Sequence, residues 1–394
     1  MAANFLKDRD IAIIAYSELQ NRTRSGKTCY ELAADVMLQL LDRTGLSHRD
    51  IDGVALTLAL AETGNVFYSN TLVDVLGLQP RWLQVTDIGG CSPLGGLARA
   101  AAAIKSGMCN VVMCVHSDST GALRHPGSFA NYRTEFMEAA GYQGPVTAFG
   151  ILSDAYDHKY GLKSEALGRL AVAQRAGAVV NENAVASLRK PITVEDYLSS
   201  RIITSPMRLL DCVMRCDGGS GIIVTTTARA KAMGVTKMVH PVAYSEISNY
   251  APENLLAEPF ESGFALIGPE VLNKAGLTVA DLDMVQLYDD FLIAVMLQLE
   301  QIGFCGRGEG GDFLLGTDLS PTGKLPINTG GGQISCGQPG LAGGGINLTE
   351  ALRQLFGEAG ARQVHGAKNA LVTGIGVIPY FRNWSSSNAM ILEA

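Results

Sequence analysis

One order of strands and helices, which the chain runs through twice, most constrains how this sequence can fold. The first pass begins with a short β-rich apolar run at 11–15, which predicts a buried strand. Residues 28–44 then show helical spacing, and residues 51–60 return to a strand pattern. A helix over 93–107 and a strand over 110–115 follow. Strands and helices that alternate in this way predict an α/β protein with a mostly parallel sheet covered by helices.

The second pass repeats the elements of the first in the same order. Residues 46–56 (LSHRDIDGVAL) and 277–287 (LTVADLDMVQL) both place an acidic turn before a strand. A glycine-rich turn then leads into a long helix in each pass, at 89–107 and again at 330–357. Matching elements in matching order predict that the chain consists of two related halves.

The predicted halves cover residues 1–235 and 236–394. Segment 119–203 of the first half breaks the repeat, because it combines prolines and aromatic residues with further helical stretches. Insertions between the strand ends of α/β proteins usually shape the ligand pocket. This segment is therefore predicted to form a loop domain over the site.

Composition excludes several classes of protein. The formal net charge of −7 argues against a general nucleic-acid binder. No uncharged run reaches the roughly 18 apolar residues of a membrane span, and the charges at 7–10 argue against a secretory signal. The eight cysteines show neither a disulfide framework nor zinc spacing, so a reducing cytoplasm and no metal site are expected. Only 18% of residues are charged, which suggests that partner subunits cover part of the surface.

The first candidate site is the turn Asp87-Ile-Gly-Gly-Cys91-Ser-Pro93, which precedes a predicted helix. A thiol at a helix N-terminus lies at the positive end of the helix dipole, which favours the nucleophilic thiolate. Position alone does not separate this role from that of a small buried cysteine that only packs. Cys91 is the candidate nucleophile.

Two further candidate loops lie in the second half. Tyr288 follows a predicted strand and could act as an acid or base, although an interior tyrosine with a satisfied hydroxyl is the commoner case. Asp290 follows closely and is a candidate for substrate binding. The loop 328–345 is dense in glycine, which leaves backbone N–H groups free to hold an oxyanion. Its polar side chains include Gln338, a catalytic candidate, and Cys336, a candidate for substrate binding.

The remaining candidates lie in two places. Two belong to a turn after the last predicted strand, and two are histidines next to or within the insertion. Thr373 and Gly376 belong to a TGIG turn that lacks the spacing of a dinucleotide-binding loop. Gly376 is a catalytic candidate and Thr373 a candidate for substrate binding. His116 follows the strand at 111–115 and His125 lies in the insertion, so both are candidates for substrate binding.

Together these loops resemble the thiolase superfamily, and in particular its sterol-carrier-type branch. The resemblance covers nearly the whole chain and rests on GGCSP at 89–93, CDGG at 216–219, YDDF at 288–291, GFCGRGEGG at 303–311 and NTGG at 328–331. It implies a thiolase fold, in which two βαβαβαββ halves stack into a five-layered α-β-α-β-α core with a loop insertion. It also implies a homodimer and acyl-CoA substrates, with coenzyme A as a substrate and not as a permanently bound cofactor.

The sequence departs from the thiolase pattern at each catalytic position. Cys91 falls in the nucleophile loop, but an ungapped alignment places Gly90 at the nucleophile itself. Tyr288 and Gln338 stand where thiolases of the family have two histidines, and Thr373 stands where they have a second cysteine. Because one missing oxyanion donor can cost roughly 10² to 10³ in rate, these replacements bear directly on the reaction.

Three functions are compatible with these residues. The main prediction is a thiolase, in which Cys91 attacks a bulky, aryl-substituted or similar 3-oxoacyl-CoA and coenzyme A takes the acyl group. The first alternative is retro-aldol cleavage of a 3-hydroxyacyl-CoA, such as a steroid side-chain ester, with Tyr288 as the base. The second alternative is a non-catalytic acyl-CoA-binding subunit.

The resemblance also implies a protein partner. Members of this branch often pair with a small subunit built from a zinc ribbon and an OB fold (a DUF35-type protein). The low charge and the missing catalytic side chains fit a site that such a subunit completes or covers.

Overall fold

In the parts of the chain that the structure describes, eleven strands form two main sheets and one small hairpin. The computed structural model describes residues 4–122, 139–142, 144–250, 260–376 and 384–394. The strands are β1 (Ile11–Glu18), β2 (Gly53–Thr57), β3 (Trp82–Thr86), β4 (Val111–Ser119), β5 (Ile202–Thr204), β6 (Met207–Arg208), β7 (Asp217–Thr226), β8 (His240–Ser248), β9 (Val285–Gln286), β10 (Asn369–Ile375) and β11 (Ser386–Glu393).

The two main sheets share one pattern of strand pairing. The first has the order β1-β7-β4-β2-β3, with two antiparallel pairings followed by two parallel ones. The second has the order β8-β11-β10-β9, with two antiparallel pairings followed by one parallel one. A single parallel bridge between Val285 and Ile327 takes the place that β3 has in the first sheet. The predicted duplication is thus confirmed at the level of topology.

The sheets are mixed, whereas the sequence pattern predicts mostly parallel ones. The last strand of each half, β7 or β11, enters between two earlier strands and runs antiparallel to both. Strand β7 follows the long insertion, and a parallel strand order needs a helical crossover that returns the chain to the same end of the sheet. Alternation along the sequence does not reveal this difference.

Twelve helices of the described residues cover and separate the two sheets. They are α1 (Cys29–Thr44), α2 (Tyr68–Val75), α3 (Ser92–Lys105), α4 (Pro145–Tyr160), α5 (Ser164–Val179), α6 (Val194–Ser199), α7 (Thr227–Ala232), α8 (Phe264–Ala275), α9 (Leu292–Ile302), α10 (Gly310–Gly316), α11 (Gly332–Cys336) and α12 (Gly344–Leu355). Within the described ranges, none of these is long and apolar enough to span a lipid bilayer.

The layers follow from which helices pack on which sheet. Helix α1 packs on the outer face of the first sheet, and α8 packs on the outer face of the second. Helices α3 and α12 contact each other and strands of both sheets, so they form the central layer. The result is the five-layered α-β-α-β-α core of a thiolase fold. Every residue of α12 is buried, as expected for a helix enclosed on all sides.

Three helix ends in the first half have a clear local cause. Thr28 and Glu31 form a reciprocal capping box at the start of α1, and Gly45 ends it with a left-handed backbone at φ 69°. Helix α3 has Pro93 in its first turn, where the missing N–H costs nothing. These signals place the start of α3 directly after the candidate turn at 89–91.

The predicted insertion, 119–203, contains α4, α5 and α6 and ends within β5, the first strand of the β5–β6 hairpin. Helix α5 packs against α10 and α11 of the second half, so this segment lies over the second sheet's loops. The predicted boundary at residue 235 falls between α7 and β8. The exact limits of the halves stay predictions.

Candidate active site

The turn at Gly89–Cys91 forms a short 3₁₀ segment that leads directly into α3. Gly90 points toward Tyr288 from this turn. A Cβ atom at Gly90 would overlap the ring carbons and the hydroxyl of Tyr288. The aromatic ring thus fills the space in which a side chain at position 90 would lie.

Cys91 is the last residue of this turn, and it has an exposed fraction of 0%. Burial, followed by the negative charge of Glu246, raises the pKa of its thiol well above the usual value. The helix dipole favours the thiolate, but desolvation of a fully buried charge outweighs it. The thiol therefore stays protonated and out of contact with solvent, which does not suit a nucleophile.

A polar network fixes the backbone beside Cys91. The Nδ2 of Asn388 donates to the carbonyl of Cys91 at 2.8 Å and to the hydroxyl of Tyr244 at 3.1 Å. Tyr244 donates in turn to Glu246, which forms a two-point ion pair with Arg99 at 2.9 and 3.1 Å. Strands β8 and β11 thus hold this turn from below.

Tyr288 follows β9 and is 4% exposed. Burial raises the pKa of its phenol well above the usual value, with a further contribution from the negative charge of Asp290. A phenol with a raised pKa remains protonated at neutral pH and is a hydrogen-bond donor. The Nε2 of Gln338 approaches the Tyr288 hydroxyl at 3.4 Å, which brings the two replaced histidine positions together.

The two acidic residues after Tyr288 differ in their surroundings. Asp289 is fully buried and accepts hydrogen bonds from the N–H groups of Gln333 and Ile334 and from the Nε2 of Gln174, at 2.9, 3.3 and 2.6 Å. It therefore serves to hold the surrounding loops.

Asp290 is half-buried, and its Oδ1 is buried without a hydrogen-bond partner. Burial, and then the charge of Asp289, raises the pKa of Asp290 to about 8. Burial also raises the pKa of Asp289, to about 7. Both Asp289 oxygens accept hydrogen bonds, however, so Asp290 is the acid with a free oxygen for proton exchange.

The glycine-rich loop contributes Gln338 to the site but not Cys336. Gln338 is half-buried, and its Nε2 also donates to the Oε1 of Gln333 at 3.2 Å. Cys336 is 0% exposed, and its thiol donates to the carbonyl of Gly330 at 2.9 Å. Cys336 was predicted to bind substrate, but its thiol is occupied within the protein.

Comparison with known proteins identifies the family. Residues 256–394 match the family model described as thiolase C-terminal domain-like. The 17-hydroxy-3-oxo-4-pregnene-20-carboxyl-CoA lyase of Mycobacterium tuberculosis is 32% identical over 93% of this chain and 96% of its own length. A steroid side-chain-cleaving aldolase of Thermomonospora curvata is 30% identical over 93% of this chain and 95% of its own length. The chain belongs to the sterol-carrier-type branch of the thiolase superfamily.

A solved structure supports the same assignment. The structure described as an Ltp2-ChsH2(DUF35) aldolase superposes with a TM-score of 0.83 at 27% identity, over 99% of this chain and 98% of that chain. The two relatives described above are named as a carboxyl-CoA lyase and a steroid side-chain-cleaving aldolase. These names agree with the retro-aldolase alternative better than with the thiolase prediction.

Two predicted residues from the thiolase pattern have internal roles in this member of the branch. The N–H of Gly376 donates to the carbonyl of Ser386 at 2.7 Å, so it is not free to hold an oxyanion. Thr373 is 0% exposed, and its hydroxyl is bonded to Gln298 and to the N–H of Tyr288. Both hydrogen-bonding functions of this hydroxyl are thus used within the protein, and substrate binding by Thr373 stays a prediction.

Of the two candidate histidines, only His116 lies within the described residues. His116 is 1% exposed, its Nδ1 is 2.7 Å from the hydroxyl oxygen of Thr57, and burial lowers its pKa to about 3. A neutral, buried imidazole in β4 suits packing better than substrate binding. His125 lies outside the described residues. Across the ranges that are described, no group of three His, Cys, Asp or Glu side chains could hold a metal ion.

Sequence reasoning missed Gln298 and Asn388, which lie in the interiors of α9 and β11. Both are fully buried polar side chains that hold the backbone of a site residue. A buried amide in an apolar helix such as α9 is unusual, because burying it costs free energy unless it is fully hydrogen bonded. That mismatch was the available signal for Gln298.

Proposed function

We propose that this protein catalyses retro-aldol cleavage of a 3-hydroxyacyl-CoA that carries a bulky substituent, such as a steroid side-chain ester. The products would be a carbonyl compound and a shortened acyl-CoA. One observation carries the proposal: Gly90 lies against the Tyr288 ring, which fills the space of a side chain at position 90, while Cys91 is buried and protonated. A reaction that needs no covalent thiol fits this arrangement.

The reaction balances without a second substrate. The 3-hydroxyl loses its proton, and the electron pair of that O–H bond forms the new C=O bond. The Cα–Cβ bond breaks, and its electron pair passes to Cα as the enolate of the thioester. A proton then returns to Cα. Neither coenzyme A, water nor a redox partner is consumed.

Tyr288 and Asp290 would share the handling of this proton. Because the phenol of Tyr288 is protonated, it accepts the substrate's proton only if it passes its own proton on. Asp290 is the carboxyl group whose charge acts most strongly on the Tyr288 phenol, and its Oδ1 is unpartnered. A group with a pKa of about 8 is well matched to proton transfer near neutral pH.

The enolate needs hydrogen-bond donors at its oxygen. Gln338 is half-buried beside Tyr288, and its neutral amide would exchange one of its two long Nε2 hydrogen bonds, to Tyr288 at 3.4 Å or to Gln333 at 3.2 Å, for one to the enolate oxygen. It is the described side chain best placed for this role, in keeping with electrostatic stabilisation of an oxyanion. The site would then differ from a thiolase in using a phenol and an amide where histidines stand.

Partner subunits form part of the proposal. The relative of 27% identity is described as a complex with a DUF35 protein, which supports a DUF35-type partner here. Strand β3 ends its sheet with one side unpaired, and Val66 and Phe67 before α2 are 86% and 70% exposed. An unpaired edge beside apolar side chains supports a homodimer joined along β3. A Phe67→Asp variant that remains dimeric by light scattering would contradict this arrangement.

The test of the proposed function is cleavage in the absence of free coenzyme A. The protein, alone and with its DUF35-type partner, is incubated with a steroid-type ester that has a tertiary 3-hydroxyl. Chromatography should show equal amounts of ketone and shortened acyl-CoA, and intact mass should show no acyl adduct. Cleavage that requires coenzyme A and leaves an adduct on Cys91 would support the thiolase instead. Full activity of the protein alone would contradict the need for the partner.

A further inference from the structure

The hydroxyl of Thr373 has both of its hydrogen-bonding functions used inside the protein. It donates to the Oε1 of Gln298 at 2.6 Å, and it accepts the N–H of Tyr288 at 2.8 Å. A threonine hydroxyl has one proton to donate, so these two bonds fix its direction. Thr373 comes from β10, and its partners come from α9 and the loop after β9.

Gln298 is saturated in the same way. Its Oε1 accepts from Thr373, and its Nε2 donates to the carbonyls of Tyr288 and Ala294 at 2.8 and 3.0 Å. Both amide protons and the amide oxygen therefore have partners, so only one orientation of the amide is compatible with its neighbours. Gln298 and Thr373 are each 0% exposed, so water does not compete for these bonds.

The two side chains bracket the backbone of Tyr288. Thr373 holds its N–H, Gln298 holds its carbonyl, and the two are bonded to each other. The preceding carbonyl, of Leu287, accepts from the Nδ2 atoms of Asn347 and Asn328 at 2.8 and 3.0 Å. A backbone fixed at these points determines the direction in which the Tyr288 ring leaves the chain, which is toward Gly90.

We propose that Thr373 and Gln298 form a clamp that positions Tyr288 for carbon–carbon bond cleavage. The inference rests on the proposed function. It assigns Thr373, which stands at the second cysteine position of thiolases, a positioning role in place of proton transfer. The clamp touches the backbone of Tyr288 and leaves its phenol free for the substrate.

The chemical reason for a clamp is the precision that proton transfer demands. Catalysis requires hydrogen-bond distances between the phenol and the substrate hydroxyl, and a misplacement of about 1 Å can cost about 10²-fold in rate. Tyr288 lies on a loop after a strand of only two residues, Val285–Gln286, so its own strand gives it little support. Side chains from β10 and α9 supply that support.

Three variants test the clamp. Thr373→Val keeps the shape and removes both hydrogen bonds, whereas Thr373→Ser keeps both bonds and removes a methyl group. Thr225→Val is the matched control, because Thr225 is also 0% exposed and donates to the carbonyl of Asn110 at 2.8 Å, away from Tyr288. Cleavage kinetics, melting temperature and hydrogen exchange of the peptide around 285–291 are measured for each.

We expect Thr373→Val to lower kcat by about 10- to 10²-fold with KM changed less than about threefold. Hydrogen exchange at Tyr288 should be faster, and Thr373→Ser should restore both properties. Thr225→Val should lower the melting temperature but leave kcat unchanged. If Thr373→Val lowers kcat no more than the control, the clamp is refuted while the proposed function stands. If the wild-type protein cleaves no 3-hydroxyacyl-CoA, the proposed function fails and the clamp's role in it fails too.

Discussion

The two halves of the molecule share a sheet topology but contribute different things to the site. The first half supplies a turn, Gly89–Cys91, whose residue against the Tyr288 ring is a glycine. The second half supplies the side chains with chemistry: Tyr288, Asp290 and Gln338, together with the clamp. Duplication has thus preserved the frame, while the reactive groups have come to depend on one copy. The comparison implies that the first half shapes the site and that the second half supplies its reactive side chains.

The largest effect should come from removing the phenol of the second half. Tyr288→Phe is expected to lower kcat by about 10²- to 10⁴-fold, because the hydroxyl that exchanges the proton is lost. Tyr197→Phe is the control. Tyr197 lies in the predicted insertion, and the variant removes a buried hydroxyl that is bonded to Asp211 at 2.7 Å. Steady-state kinetics on the steroid-type ester provide the measurement. Activity that survives Tyr288→Phe would remove the second half's leading role.

The second-largest effect on kcat is expected at Gly90, in the turn that the first half supplies. Gly90→Ala places a Cβ atom against the Tyr288 ring, so the ring must move. We expect a loss of about 10²-fold in kcat and of about 1–3 kcal/mol in the free energy of unfolding. Gly64→Ala adds a methyl group with no atom within 4 Å and should change neither quantity. An active Gly90→Ala enzyme would show that the ring does not need this space.

The pH dependence separates Asp290 from its neighbours. Because burial raises its pKa from 3.8 to about 8, Asp290 is protonated below pH 8 and can accept a proton only above it. The rate should therefore rise with pH through about 8, and Asp290→Asn should lose this rise, with a deficit of about 10²-fold at pH 9. A pH profile that is the same in both proteins would exclude Asp290 from the reaction.

The same shift has a consequence for stability. The folded-state pKa of Asp290 lies above its unfolded value, so the folded protein binds the proton more tightly. The stability that this gives is present below the unfolded pKa and is lost as pH rises through about 8. Denaturant unfolding should show Asp290→Asn gaining stability relative to wild type between pH 6 and pH 9. A constant difference across that range would contradict the raised pKa.

The smallest effect is expected at the first half's thiol. Cys91→Ala should change kcat by less than about twofold and lower the free energy of unfolding by about 1 kcal/mol, because the thiol only fills space. Cys114→Ala, in another fully buried position of the same half, should behave alike. A complete loss of activity in Cys91→Ala but not in Cys114→Ala would restore the thiolase hypothesis. The first half would then supply the reactive group.

The sequence predicted the frame better than the site. Strand and helix periods, together with the repeated order of elements, led to two halves and the five-layered fold, since these patterns are local. The antiparallel entry of β7 was not predicted, because periodicity carries no strand direction. The site depends on a single-residue register: whether Gly90 or Cys91 lies against the Tyr288 ring is decided by one turn. Likewise, the sequence does not show that the Thr373 hydroxyl is bonded to Gln298 and to the N–H of Tyr288, because these residues are distant along the chain.

The close fit of Gly90 to the Tyr288 ring has an evolutionary consequence. Restoring a cysteine at position 90 would drive a side chain into the phenol, and restoring a histidine at position 288 alone would leave no thiol for it to assist. Each single step toward a thiolase is therefore expected to lose the present activity before the other activity exists. Residues in contact couple in this way, so the two positions would have to change together. The contact between a glycine and an aromatic ring thus acts as a barrier between two neighbouring enzyme chemistries.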